Sequence, residues 1–153
     1  MSSTAVSPPK PKEVIEFIYA LLGLEVSDAP AEDDGDLTSI AEYVTEGGEP
    51  VGYIACGLAT ACRLGAALTQ IPAGHVDDAI KQGEIPENIA DNLNEIFNIN
   101  VNLLHSDAGE RFVLGKSTHN GEAELAAKLD ECETTVVSFN VERYGVCKLV
   151  IAI

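Results

Sequence analysis

Large apolar side chains alternate with other residues along the last twenty positions, and this pattern constrains the fold more than any other. The alternating residues are Val137, Phe139, Val141, Cys147, Leu149, Ile151 and Ile153. A period of two residues is typical of a β-strand with one buried face. Tyr144 and Gly145 lie between the two runs and suit a turn. The sequence therefore predicts a C-terminal β-hairpin whose apolar face needs cover from other elements.

Periodicity and chain breakers indicate the remaining elements around this hairpin. Helical patterns occur over residues 13–23, 58–71, 75–82, 86–100 and 122–129. Strand patterns occur over residues 38–46, 51–56 and 111–114. This order predicts an α/β or α+β fold, in which an antiparallel sheet carries its helices on one face.

The length of 153 residues suits one domain with a substantial hydrophobic core. Residues 1–11 are rich in Ser, Pro and Lys, so we expect a disordered tail there and a single domain over residues 12–153. Residues 27–36 are acidic and rich in breakers, which indicates a solvated loop. The four cysteines lack metal-ligand spacing, and we expect them to be small buried residues without disulfides.

The charge of the chain excludes some classes of partner. It has 25 acidic residues against nine basic ones, which gives a net charge of −16. Such a surface repels phosphate backbones and anionic membranes, so we expect neither nucleic-acid binding nor membrane binding. No apolar run approaches the ~20 residues that span a bilayer, and the N-terminus lacks the apolar core of a signal peptide. These features predict a cytoplasmic protein.

The segment 86–100 contains the candidate functional residues. Asp91, Glu95 and Asn98 are spaced at i, i+4 and i+7, so on an α-helix they lie within roughly 60° of one another on one face. The apolar residues on the opposite side are Leu93, Ile96 and Phe97. Asn100 would fall on that apolar face, so we expect the helix to end or bend there. A carboxylate one turn from a carboxamide on a rigid helix can orient a water molecule toward an electrophile.

The motif Asp91-x3-Glu95-x2-Asn98 resembles the signature of the CheC/CheX/FliY group of chemotaxis phosphatases. In that group the pattern is Asp or Ser, three residues, Glu, two residues and Asn. The preceding stretch, which includes Ala66–Pro72 and Ala79–Gly83, is also similar, so the resemblance covers about residues 50–104. The chain has a single copy of the motif, as in the CheX branch. It departs from the group at Gly121, where family members typically have a proline.

The resemblance implies a CheC-like fold and an activity. Members of the group are hydrolases that remove the phosphoryl group from the aspartate of a response regulator such as CheY. By resemblance, Asn98 positions the attacking water and Glu95 pairs with a basic residue of the regulator, most simply its active-site lysine. Asp91 would be a peripheral partner contact, and Asn94 and Asn102, near the same face, would assist. The chain needs no cofactor of its own, since the regulator supplies Mg²⁺.

Other interpretations of the same residues stay open at this point. Asp, Glu and Asn on one helix face also suit a plain solvated surface. A non-catalytic signalling module that binds receiver domains would share the fold and bind without turnover. A dimeric structural protein could use its C-terminal strand, because an exposed apolar edge promotes pairing. We expect a homodimer through sheet edges, since the CheX branch is dimeric.

Overall fold

A six-stranded antiparallel sheet organises the structure, a computed structural model that describes residues 6–153. Its strands are β2 (Val26–Asp28), β3 (Leu37–Thr45), β4 (Pro50–Gly57), β6 (Phe112–Thr118), β7 (Thr134–Val141) and β8 (Gly145–Ala152). Their order across the sheet is β2-β7-β8-β4-β3-β6, and every neighbouring pair is antiparallel. Two short strands, β1 (Val6–Ser7) and β5 (His105–Ser106), pair with each other outside this sheet.

The predicted C-terminal hairpin is confirmed as β7 and β8. Their register runs from Val141 opposite Gly145 to Thr134 opposite Ala152. The turn places Arg143 at φ 76° and Gly145 at φ 108°, a conformation that glycine adopts without steric strain. The alternating apolar residues of both strands, Ile153 excepted, are buried in the main core.

Strand β8 lies in the middle of the sheet, so the expectation that the C-terminal strand offers an exposed edge is wrong. One side of β8 pairs with β7, and residues 150–152 pair with β4 on the other side. Earlier in β8, the Lys148 backbone N–H donates to Thr60 Oγ1 over 2.9 Å, and Arg63 donates to the Val146 carbonyl over 2.5 Å. Since the outer strands of this sheet are β2 and β6, a homodimer through a sheet edge stays a prediction that would use one of those two.

Helices cover both faces of the sheet, although not equally. They are α1 (Pro11–Leu22), α2 (Leu58–Leu68), α3 (Ala73–Gln82), α4 (Glu87–Asn100) and α5 (Ala123–Asp130), and a 3₁₀ turn, Val101–Leu103, follows α4. Helices α1, α2 and α4 pack on the face that carries Tyr43 and Ile54, while α3 packs on α2. The α+β fold class is confirmed, with one difference. Helix α5 packs through Leu125 on the opposite face, against Ile40 and Ala55, because β3 and β4 are apolar on both faces.

The N-terminal prediction needs a correction. Val6–Ser7 form β1 and Pro11 begins α1, so the tail expected over residues 1–11 is ordered from residue 6. Residues 1–5 of that prediction lie outside the described residues. Among residues 6–153, none of the helices has the length and apolar character needed to cross a bilayer.

The acidic segment 27–36 has a structural role that its composition did not indicate. Its first two residues belong to β2, and Asp34 reaches the start of α2. The Asp34 carboxylate accepts hydrogen bonds from the backbone N–H groups of Gly57, over 3.1 Å, and Thr60, over 3.2 Å. The first N–H groups of a helix have no partner within the helix, so this carboxylate caps α2 from a distant loop.

The expectation of small buried cysteines is confirmed for three of the four, while Cys132 is half-buried. Within the described residues all four are free, and three of them, Cys56, Cys62 and Cys147, are buried. Burial raises the pKa of Cys62 to about 11 and the pKa of Cys147 to about 12. These thiols are therefore protonated and unreactive at neutral pH.

Candidate functional site

Helix α4 is the element that carries the motif. Pro86 precedes it with an extended backbone, and Glu87 places a negative charge in its first turn, where the helix dipole favours one. Its apolar side is buried as predicted; the buried residues there are Ile89, Leu93, Ile96 and Phe97. The side chains of Asp91, Glu95 and Asn98 are all exposed on the outer side of the helix. The structure thus brings the three motif residues to one accessible face.

Contacts with α2 and with the sheet fix α4 against the rest of the molecule. Gly65 of α2 allows close approach, because a Cβ built there would lie 2.5 Å from the Ile89 carbonyl oxygen. Asn92 donates to the Gly65 carbonyl over 2.9 Å and to Thr69 Oγ1 over 2.8 Å. On the sheet side, the buried hydroxyl of Tyr43 donates to the Phe97 carbonyl over 2.6 Å. The motif is therefore held on a rigid element from two directions.

Hydrogen bonds from outside the motif helix hold the side chain of Asn94. Its Oδ1 atom accepts hydrogen bonds from Ser117 Oγ, over 2.9 Å, and from His119 Nε2, over 2.7 Å. Asn94 is one of the residues expected to assist near the motif face, and its carbonyl oxygen is occupied by Ser117 of β6 and by His119 in the loop that follows it. Asn94 links the motif helix to the outer strand of the sheet.

His119 was not singled out by the sequence, since nothing in its spacing connects it to the motif. Its ring stacks on Phe97, with ring centroids 6.2 Å apart and an interplanar angle of 7°. Its Nδ1 lies 3.0 Å from Ser39 Oγ, so a neutral ring accepts from Ser39 while its Nε2–H donates to Asn94. Burial lowers the pKa of His119, an effect that the negative charge of Asp91 opposes in part. The ring is therefore neutral at pH 7.

Asn98 opens onto a cavity of about 430 Å³ between the end of α4 and strand β6. Asn102 lies on the same side, exposed in the 3₁₀ turn, as expected for a residue near the motif face. The wall opposite the helix comes from residues 110–114, which include Glu110 and Arg111. Arg111 was not singled out by the sequence, since nothing in its spacing connects it to the motif.

Asn100 ends α4, in agreement with the expectation that the helix ends or bends there. Its side chain is 0% exposed, and among residues 6–153 neither Oδ1 nor Nδ2 has a hydrogen-bond partner. A buried polar group without a partner is unfavourable, so this position weakens the end of the helix.

The described part of the chain contains no group of three or more His, Cys, Asp or Glu side chains arranged to hold a metal ion. Asp91 and Glu95 are carboxylates on one face of α4, but a helix turn separates them and no third ligand joins them. What this face offers is a carboxylate for a cation and a carboxamide that both donates and accepts hydrogen bonds. That combination suits the orientation of a water molecule beside a charged group.

Several solved structures resemble this chain in architecture. CheX from Borrelia burgdorferi, in a complex with CheY, BeF3 and magnesium, is 15% identical and covers 93% of this chain and 94% of its own, with a TM-score of 0.43. CheX from Vibrio vulnificus is 12% identical over 92% and 91%, with a TM-score of 0.43. The FliM middle domain from H. pylori is 8% identical over 93% and 83%, with a TM-score of 0.44.

No protein-family model matches the chain, and no curated protein matches it. Similarity at this level describes an architecture and assigns neither an activity nor a partner to the chain.

Proposed function

We propose that this chain hydrolyses the aspartyl phosphate of a CheY-like response regulator. The observation that carries the proposal is that Glu95 and Asn98 lie one turn apart on the exposed face of the same helix. Hydrogen bonds anchor this helix to both α2 and the sheet. The resemblance of the motif to the CheC/CheX/FliY phosphatases supports the assignment of roles. The proposal also implies a cytoplasmic protein, since response regulators act there.

The chemistry requires little from the phosphatase. An aspartyl phosphate is a reactive mixed anhydride, and the regulator supplies Mg²⁺ and a lysine around the phosphoryl group. Attack by a water oxygen on phosphorus breaks the bond to the aspartate oxygen, which leaves a free carboxylate and inorganic phosphate that retains the atoms of the water. Phosphoryl transfer depends chiefly on positioning and on charge stabilisation. A fixed carboxamide therefore supplies what the regulator lacks.

In this proposal Asn98 accepts a hydrogen bond from the water through Oδ1 and donates to a phosphoryl oxygen through Nδ2. Glu95, one turn before it, pairs with the lysine of the regulator and sets the docking register. Asp91 is a peripheral contact for another basic residue of the partner. Asn102 lies past Asn98 along the same side and is expected to contact the partner too, whereas the Asn94 carbonyl oxygen is already engaged.

The test is the decay rate of a radiolabelled, phosphorylated receiver domain, with and without this protein at substoichiometric amounts. Faster decay with several turnovers for each molecule of protein is the expected result. Binding of the receiver without faster decay would instead support the alternative, a non-catalytic receiver-binding module. If the protein neither bound several CheY-like regulators nor accelerated their decay, both the phosphatase proposal and the receiver-binding alternative would be contradicted.

A further inference from the structure

The proposed function places an anionic phosphoryl group at an unfavourable point of α4. Asn98 lies in the last turn, and the C-terminus of a helix carries a partial negative charge of roughly half an elementary unit. That turn contains no basic residue. The chain as a whole has a net charge of −16, so its long-range field also repels anions. A cation close to Asn98 would offset this repulsion.

Arg111 is a cation in the right place. It lies immediately before β6 and lines the same cavity as Asn98 and Asn102. Its side chain is exposed, and within residues 6–153 it has no ion-pair partner. By contrast, Lys116, farther along β6, pairs with an acidic residue at 3.5 Å. A guanidinium is always charged, and its donors match two oxygens of a phosphoryl group at once.

We propose that Arg111 binds the phosphoryl group of the partner in this cavity, together with the carboxamides of Asn98 and Asn102. This inference rests on the proposed function and deepens it, because it assigns the charge-stabilising group that the sequence motif lacks. The positive group belongs to the chain's own sheet edge, so it is present before the partner binds. A cationic donor at this position would act most strongly on charge that is shared among several oxygens in the transition state.

The charges follow an order along the exposed side of the site. The carboxylate of Glu95 comes first, and the neutral Asn98 lies about 4.5 Å farther along the helix axis. Arg111 lines the cavity onto which Asn98 opens, and Glu95 does not line that cavity. A partner that presents an ammonium group beside a phosphoryl group matches this order in one direction only. The order of charges in the site therefore matches that of an aspartyl phosphate with a lysine beside it.

Glu110 lines the same cavity and acts against an anion there. The two neighbouring charges cancel at long range, so any benefit from Arg111 depends on direct hydrogen bonds to the phosphoryl oxygens. Lysine at this position would keep the charge but lose the paired donors. We therefore expect Arg111→Lys to recover only part of the function that Arg111→Ala removes.

The experiment compares Arg111→Ala and Arg111→Lys with Lys81→Ala, which removes the same charge from an exposed residue of α3 outside the cavity. The first measurement is steady-state dephosphorylation of the receiver domain over a range of its concentrations. We expect wild-type rates for Lys81→Ala and a kcat lower by on the order of tenfold to a hundredfold for Arg111→Ala. An unchanged kcat in Arg111→Ala would overturn the proposal, whether or not KM rises. A contact that serves only to dock the receiver domain changes KM and leaves kcat unchanged.

A second measurement keeps the inference separate from the proposed function. If the wild-type protein does not accelerate decay at all, the proposed function fails. The anion site is then tested alone by titration of the folded proteins with inorganic phosphate at constant ionic strength. NMR shifts of the Asn98 and Asn102 side-chain amides that occur in wild type and Lys81→Ala but not in Arg111→Ala would support it. Absence of shifts in wild type, or equal shifts in Arg111→Ala, would overturn it.

Discussion

His119 Nε2 donates a hydrogen bond of 2.7 Å to the Oδ1 atom of Asn94, and this contact joins the motif helix to the outer strand of the sheet. Ser117 donates to the same oxygen over 2.9 Å, so two groups from outside α4 converge on one carboxamide of that helix. Stacking of the His119 ring on Phe97 adds an apolar contact one turn away. The helix that exposes Glu95 and Asn98 is therefore held by β6 and the loop after it, in addition to α2 and Tyr43.

We predict that Asn94→Ala destabilises the fold by about 1–3 kcal/mol, because it leaves two half-buried donors without an acceptor. The measurement is urea denaturation. The matched control is Asn88→Ala, an exposed asparagine in the first turn of the same helix, which should be nearly neutral. Equal stability of the two variants would show that Asn94 does not link α4 to β6.

The same contact predicts a pH dependence of stability. The folded structure holds His119 neutral with a lowered pKa, whereas in the unfolded chain it titrates near its ordinary value of 6.5. Below that value the unfolded chain binds more protons at this residue than the folded protein does. The free energy of unfolding should therefore fall as the pH drops below about 6.5, until the pH passes the lowered pKa. Above 6.5 this contribution is fully present.

The check compares wild type with His119→Gln in urea titrations between about pH 8 and about pH 5. Glutamine keeps a donor near Asn94 but does not titrate in this range. The other histidines and the carboxylates are common to both proteins, so the difference between the two curves isolates His119. Parallel curves would contradict the prediction.

Local patterns in the sequence predicted the elements that depend on local periodicity. The alternation that ends at Ile153 predicted the hairpin of β7 and β8, and the apolar stripe of Leu93, Ile96 and Phe97 predicted the buried side of α4. Both patterns are set by neighbours in sequence, so no knowledge of topology was needed. The exposure of Glu95 and Asn98 followed from the same stripe.

The relationships that the sequence did not predict are contacts between residues that are distant in the chain. The central position of β8 depends on its pairing with β4, about a hundred residues earlier, and no local pattern records that partner. Asn94 and His119 are 25 residues apart, with the end of α4, the 3₁₀ turn and the strands β5 and β6 between them. Arg111 enters the site because β6 runs beside the end of α4. These relationships come from the sheet order, which periodicity does not contain.

For the motif itself, we predict that Asn98→Ala and Glu95→Ala each abolish acceleration of receiver dephosphorylation and leave the fold intact. Both side chains are exposed, so their removal should change the free energy of unfolding little. Asn88→Ala serves as the control on the same helix and should keep full activity. The measurement is the decay assay, with circular dichroism to confirm the fold. Wild-type activity of both motif variants would show that this face is not the site.

The packing of α4 on α2 gives a prediction that tests how firmly the motif is held. A Cβ at Gly65 would lie 2.5 Å from the Ile89 carbonyl oxygen and 2.6 Å from Ile89 Cγ2, distances that side chains do not tolerate. Gly65→Ala must therefore push α4 away from α2, and it should destabilise the protein by about 1–3 kcal/mol. The shift would also disturb the hydrogen bond from Asn92 to the Gly65 carbonyl.

Gly74 offers the matched control for this substitution. It lies in the first turn of α3, and a Cβ built there meets no atom within 4 Å. Gly74→Ala should be neutral or stabilising by about 0.5–1 kcal/mol, because alanine lowers the entropy of the unfolded chain. Urea denaturation of both variants is the measurement. If Gly65→Ala were as stable as Gly74→Ala, the close contact between α2 and α4 could not be what fixes the motif helix, and the support would have to come from Tyr43 and His119 alone.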